Sequence, residues 1–208
     1  MHICVLVYGR LNKCAEHYNN ILDSIGKEND IDFFCSSDNS SEELLQDFIR
    51  LYNPISYTNN KIDYTLDLSK YQKTPETNVD FMIRHFINKN RVFGLLEKYI
   101  EKNKNIAYDI VISFRVDLIF LNKFNFLYCI KDSDTIFIPY INNYRGVNDQ
   151  LAFGDYNTMK KYMNIINNCV YLIENYSILV NPEIITQTNI EFYNLQIMNF
   201  DIIYIIDK

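Results

Sequence analysis

Short, continuous, β-branched apolar runs recur along this sequence, and most are followed by a stretch whose apolar residues return at helical spacing. His2–Tyr8 reads HICVLVY and stops at Gly9; residues 13–25 then carry Ala15, Tyr18, Ile21, Leu22 and Ile25 on one helix face, with Gly26 as a stop. Residues 31–37 form a second strand, and the helix over 40–52 has Ser40 or Ser41 to cap it and acids in its first turn. Residues 54–67 alternate only loosely, as a short strand plus irregular chain does. The longest helical pattern follows Pro75, running through Val79, Met82, Phe86, Val92, Leu96 and Tyr99 with a kink expected at residues 88–90. Strands at 108–120, Thr135–Pro139 and 150–154 come next, then a helix over 156–174, a helix begun by Pro182 and a final strand in 201–207. Strands apolar at nearly every position are buried on both faces. The order therefore predicts an α/β fold with a mostly parallel central sheet and helices on both faces.

A chain of 208 residues suits one domain with a substantial core. The formal net charge of −6 and the lack of a basic run oppose a phosphate backbone as partner, so no nucleic acid is expected. Cys4, Cys14, Cys35, Cys129 and Cys169 are odd in number, widely spaced and mostly set in apolar segments, which reads as reduced core residues and not as a disulfide or zinc framework. No apolar run reaches the ~20 residues that span a bilayer, and no signal peptide precedes the first strand. The expectation is a soluble cytoplasmic protein.

Ligands of such sheets sit at the carboxyl ends of the strands. One rim should then hold the turn at Gly9 and Arg10, the pair Arg115 and Asp117, and the loop NNYRGVNDQLAFG with Arg145, Asn148, Asp149 and Gln150. Residues two apart on a strand share a face, so Arg115 and Asp117 flank a common site: they form an ion pair closing the strand, or a guanidinium for phosphate beside a carboxylate for a cation. Arg10 follows a glycine turn where a phosphate can approach backbone N–H groups, although no repeated-glycine fingerprint accompanies it. Polar groups entering a buried strand need partners, which makes the Arg145–Gln150 cluster either a ligand contact or a turn closed by its own side chains. His2, His17 and His85 have no metal-ligand spacing, and His85 reads as a core-edge residue of the long helix.

Taken in order, VLVYGR, DIDFFCSS, YDIVISFRVDLIF, IFIPY, GVNDQLAFG and NPEII resemble small GT-A-type nucleotide-sugar glycosyltransferases of capsule and lipopolysaccharide gene clusters and of large DNA viruses. The resemblance covers nearly the whole chain. It implies a Rossmann-like GT-A fold in one domain, residues 1–208, with 1–120 binding nucleotide and 121–208 carrying donor-sugar and acceptor contacts. It implies transfer of a sugar, as by a hexosyltransferase using a UDP-sugar, onto a glycan or other hydroxyl acceptor, in the host cytoplasm if the gene is viral. In that family an Asp-x-Asp element holds Mn²⁺ or Mg²⁺ against the diphosphate. Here RVD puts Arg115 in the first aspartate's place and leaves Asp117 as the metal ligand, with Asp201 and Asp207 as late acidic candidates. NDQ is similar to an Asp-Gln element: Asp149 would orient the donor sugar or act as base, and Gln150 would lie near the anomeric carbon. Gly9, Arg10, Arg115, Arg145 and Asn148 would serve the donor. The incomplete aspartate element keeps an alternative open, a catalytically silent module that binds a nucleotide or a protein. The short length also leaves room for a homo-oligomer whose second copy completes the acceptor site.

Overall fold

The computed structural model describes residues 1–126 and 133–207. Cys129 lies outside the described residues; Cys4, Cys14, Cys35 and Cys169 are free and buried.

The chain runs β1 (His2–Tyr8), α1 (Cys14–Ile25), β2 (Asp30–Ser36), α2 (Glu42–Tyr52), β3 (Ser56–Thr58), α3 (Val79–Lys102), β4 (Ile110–Arg115) and β5 (Leu118–Phe120). It continues with β6 (Thr135–Pro139), β7 (Leu151–Gly154), α4 (Tyr156–Met163), α5 (Ile165–Tyr176), α6 (Pro182–Phe192), β8 (Gln196–Phe200) and β9 (Tyr204–Ile206). Seven strands form one sheet in the order β3-β2-β1-β4-β7-β6-β8, and β5 pairs with β9 in a separate two-stranded sheet. Within the large sheet only β7 runs against its neighbours, giving the mostly parallel sheet expected.

Alternation along β1 explains the layers. Ile3, Val5 and Val7 face the side covered by α1 and α2, while Cys4, Leu6 and Tyr8 face the side covered by α3, α4 and α6. Because both faces are covered, the strand carries no polar side chain in its centre. The helix starts follow from side-chain caps: Asn78 accepts from the Phe81 N–H at 3.1 Å, Asp155 from Thr158 at 2.6 Å and Asn181 from Ile184 at 3.0 Å.

Four boundaries differ from those read in the sequence. The helix α3 runs unbroken through residues 88–90, since Asn88 and Lys89 are buried and held by tertiary hydrogen bonds. The 108–120 strand divides at Val116 and Asp117, where the chain leaves the main sheet. The 156–174 helix divides at Asn164, whose side-chain amide donates to the Tyr193 hydroxyl and accepts from Asn167. The last apolar run supplies β9 of the small sheet, and the edge of the large sheet is instead β8, which is mostly exposed and so lacks a continuous apolar signal.

Candidate active site

Parallel register sets Tyr8 beside both Ser36 and Arg115, so β1, β2 and β4 end on one rim. Strand β7 runs the other way, and its amino end therefore reaches the same rim: Phe114 lies opposite Leu151, and the Arg115 N–H donates to the Gln150 carbonyl at 3.2 Å. The distant segments carrying Gly9 and Arg10, Arg115 and Asp117, and Asp149 and Gln150 are brought together in this way.

A cleft with two lobes opens on the rim. The first, about 490 Å³, is lined by Gly9, Arg10, Lys13, Arg115, Asp117 and Asp207 among others. Gly9 has φ 109°, a conformation that side-chain-bearing residues rarely adopt, and this turns the chain away from β1 so that Arg10 stands exposed at the mouth. The second lobe, about 250 Å³, is lined by Asp149, Gln150, Asn181 and Glu183. Phe81, His85 and Arg115 belong to both lobes and mark their junction.

At that junction Arg115 Nε donates to Asp117 Oδ1 at 3.0 Å, and its Nη2 pairs with Asp117 Oδ2. Both carboxylate oxygens are thus engaged by one guanidinium. Asp207 is placed next to this pair by the hydrogen bond from its N–H to the Asp117 carbonyl, 2.9 Å. Its own carboxylate is held by Lys13 at 2.5 Å and His17 at 3.2 Å, and these partners lower its pKa, Lys13 first. Among the described residues no three His, Cys, Asp or Glu side chains are grouped to hold a metal ion. Two carboxylates already matched by cations do not fit a resident divalent ion, whereas cations at the end of a β-strand and a glycine turn fit a diphosphate.

The second lobe is built around Asp149 and Glu183. Burial holds the Asp149 carboxyl above the usual carboxylate range, against the opposing pull of Lys89 and Arg115. Burial, and then the charge of Asp149, lifts Glu183 to about 7. Glu183 is placed by a close backbone approach: Val147 N–H donates to its carbonyl at 3.4 Å, and a Cβ on Gly146 would overlap that carbonyl. His85 Nε2 lies 3.3 Å from Asp149 Oδ2 and 3.2 Å from the Asp149 carbonyl. Burial pushes the His85 pKa well below the usual value, so the ring is neutral with its hydrogen on Nε2, facing two acceptors.

Three sequence candidates stand apart from the cleft lining. Asn148 is fully buried, and its side chain closes the loop by donating to the Ile141 carbonyl and Tyr204 hydroxyl and accepting from the Gln150 and Leu151 N–H groups. Arg145 is exposed and pairs with Glu76 at 2.8 Å. Asp201 is exposed, and its carbonyl accepts from Asn122 at 2.9 Å.

No family model and no curated protein matches the sequence. Solved structures do match. The galactosyltransferase LgtC in complex with donor and acceptor sugar analogs superposes with a TM-score of 0.52 at 11% identity, over 96% of this chain and 73% of that one. The glycosyltransferase GlyE of Streptococcus pneumoniae TIGR4 gives 0.51 at 11% identity over 97% of this chain, which spans 46% of GlyE. A putative nucleotide-diphospho-sugar transferase from Desulfovibrio desulfuricans G20 gives 0.50 at 11% identity over 95% and 79% of the two chains. The chain has the GT-A fold.

Within this GT-A fold, four cleft or near-cleft residues carried no assigned role in the sequence. Lys13 lies in an ordinary polar turn. Glu183 opens a helix and reads as a first-turn acid. His85 looked like a core-edge residue, which it is on one side only. Lys89 had a legible signal: with Met82, Phe86 and Phe93 it falls on the apolar stripe of α3, where a lysine requires a buried partner.

Proposed function

We propose that the protein is a glycosyltransferase that moves a sugar, such as a hexose from a UDP-sugar, from a nucleoside-diphosphate donor to a hydroxyl of a glycan or other acceptor. One observation carries this reading: a lobe where Arg10, Lys13 and Arg115 stand with Asp117 and Asp207, and offer donors to a diphosphate, joins at Arg115 and His85 a lobe lined by carboxyls and amides suited to sugar hydroxyls. The GT-A fold shared with the glycosyltransferases GlyE and LgtC supports it.

The diphosphate lies in the first lobe against Arg10, Lys13 and Arg115. As the anomeric C–O bond breaks, its electron pair leaves on the diphosphate, where these cations stabilise the charge as it forms. The acceptor oxygen bonds to the anomeric carbon, and its proton passes to Glu183, whose pKa of about 7 suits a base at neutral pH. Asp149 and Gln150 hold sugar hydroxyls. Phe81, 61% exposed at the junction, offers an aromatic face to a sugar ring. No step is routed through Mn²⁺ or Mg²⁺, because Asp117 is committed to Arg115 and Asp207 to Lys13 and His17.

Calorimetric titration with UDP-, GDP-, CMP- and dTDP-sugars, in Mn²⁺ and in EDTA, followed by assay of donor hydrolysis and transfer, tests the reading. Binding of a nucleoside-diphosphate sugar with release of its diphosphate is the expected result. Binding without turnover points to a silent nucleotide-binding module, and no binding overturns the proposal.

A further inference from the structure

Lys89 is fully buried in the middle of α3, yet among the described residues it forms no ion pair. Its ammonium donates to the Asp149 carbonyl at 2.9 Å and to the Tyr162 hydroxyl at 2.9 Å. It lies 4.3 Å from the centre of the Tyr162 ring and 5.8 Å from that of Tyr8. A buried charge without a counter-ion is costly, and methionine or leucine would fill the same space without that cost. The contacts of the ammonium suggest what it does. The Asp149 carbonyl also faces His85 Nε2 at 3.2 Å and the Tyr8 hydroxyl at 3.3 Å, so donors from β1 and from two turns of α3 converge on one oxygen. That carbonyl belongs to a residue that lines the second lobe together with Glu183.

We propose that Lys89 is a positioning residue: its buried ammonium anchors the Asp149 peptide and makes Asp149 the first of the two carboxyls to ionise, ahead of Glu183. The role rests on the glycosyltransferase reading, in which an ionised Asp149 binds sugar hydroxyls while Glu183 exchanges the acceptor proton. The groups facing Lys89 are Tyr8 from β1, His85 from its own helix, Tyr162 from α4 and Asp149 ahead of β7; Arg115 from β4 and Glu183 from α6 act on Asp149 from the cleft side. The electrostatics agree: burial lowers Lys89 to about 7 while Asp149 pulls it up, and reciprocally Lys89 lowers Asp149.

The test is a carboxyl ¹³C NMR titration of the full, ligand-free chain, with the Asp149 signal assigned by its loss in Asp149→Asn. In Lys89→Met the Asp149 midpoint is expected to rise by about one pH unit or more, the effect of removing a positive charge that acts on a buried carboxyl. Tyr162→Phe removes a hydrogen-bond partner of the ammonium but not its charge, and should leave the midpoint in place. Where Lys89→Met fails to fold, Lys89→Gln, which keeps a donor and loses the charge, replaces it. A folded, uncharged variant with an unmoved Asp149 midpoint overturns the proposal. Active protein adds a second readout: the donor KM of Lys89→Met should rise as pH falls through the raised Asp149 midpoint, at pH values where the wild type still holds the donor. The NMR arm needs no turnover, so absence of donor binding would remove the glycosyltransferase reading without altering the charge coupling.

Discussion

Arg115 and Asp117 leave β4 as a closed unit, with the guanidinium spanning both oxygens of the carboxylate at the junction of the two lobes. A bidentate pair of this kind satisfies the same donors that a diphosphate would use. The carboxylate therefore competes with the ligand for Arg115, and separating the two should change affinity in opposite directions.

In EDTA, Asp117→Asn is expected to bind nucleoside diphosphate about tenfold more tightly than the wild type, roughly 1.4 kcal/mol, and Arg115→Ala about tenfold or more weakly. Calorimetry reads both. Weaker binding by Asp117→Asn that appears only with Mn²⁺ would return Asp117 to the role of metal ligand.

Glu183→Gln keeps the shape of the second lobe and removes the base. Turnover is expected to fall by roughly 10²- to 10⁴-fold with the donor dissociation constant unchanged. The wild-type kcat should rise with pH through about 7 as Glu183 ionises, and be lost as pH falls through that value. A kcat profile flat from pH 6 to 8 would remove Glu183 from the reaction.

Gly146 is where the loop carrying Asp149 meets the start of α6, with no room for a side chain between Gly146 and the Glu183 carbonyl. Gly146→Ala should cost about 1–3 kcal/mol by overpacking. At roughly 2–4 °C per kcal/mol for a chain of this size, the loss is readable as a lowered Tm. Activity should fall further than stability, because Glu183 moves with the helix.

Lys89 makes stability depend on pH. An unfolded lysine holds its proton up to about 10.4, whereas in the fold Lys89 loses it near 7. Between those values the unfolded chain binds more protons, so stability rises with pH; below about 7 the cost of the buried charge is present in full. Lys89→Met should exceed the wild type in Tm at pH 6, and its lead should shrink towards pH 10. Melting curves at pH 6, 8 and 10 decide it, and a constant difference would show that Lys89 does not titrate in this window.

The sequence by itself determined the layered α/β architecture, because a β-branched run with no polar interruption, as in β1, can only be a strand covered on both faces. It also led to the expectation that Gly9, Arg10, Arg115, Asp117, Asp149 and Gln150 share a rim; parallel pairing of β1 and β4 brings the first four there, and Asp149 and Gln150 join them because β7 runs antiparallel to β4. The tertiary structure decided what those residues do to one another. Spacing showed that Arg115 and Asp117 could pair, but the pairing itself depends on a chain direction that changes at Val116. Asn148 reads in the sequence as a ligand contact or as part of a turn closed by its own side chains, and in the fold its amide donates to Tyr204, 56 residues away. The coupling of Asp149 to His85, Lys89 and Glu183 joins three elements distant in the chain. Charge and burial at one point are properties of that assembly, and no local pattern of residues encodes them.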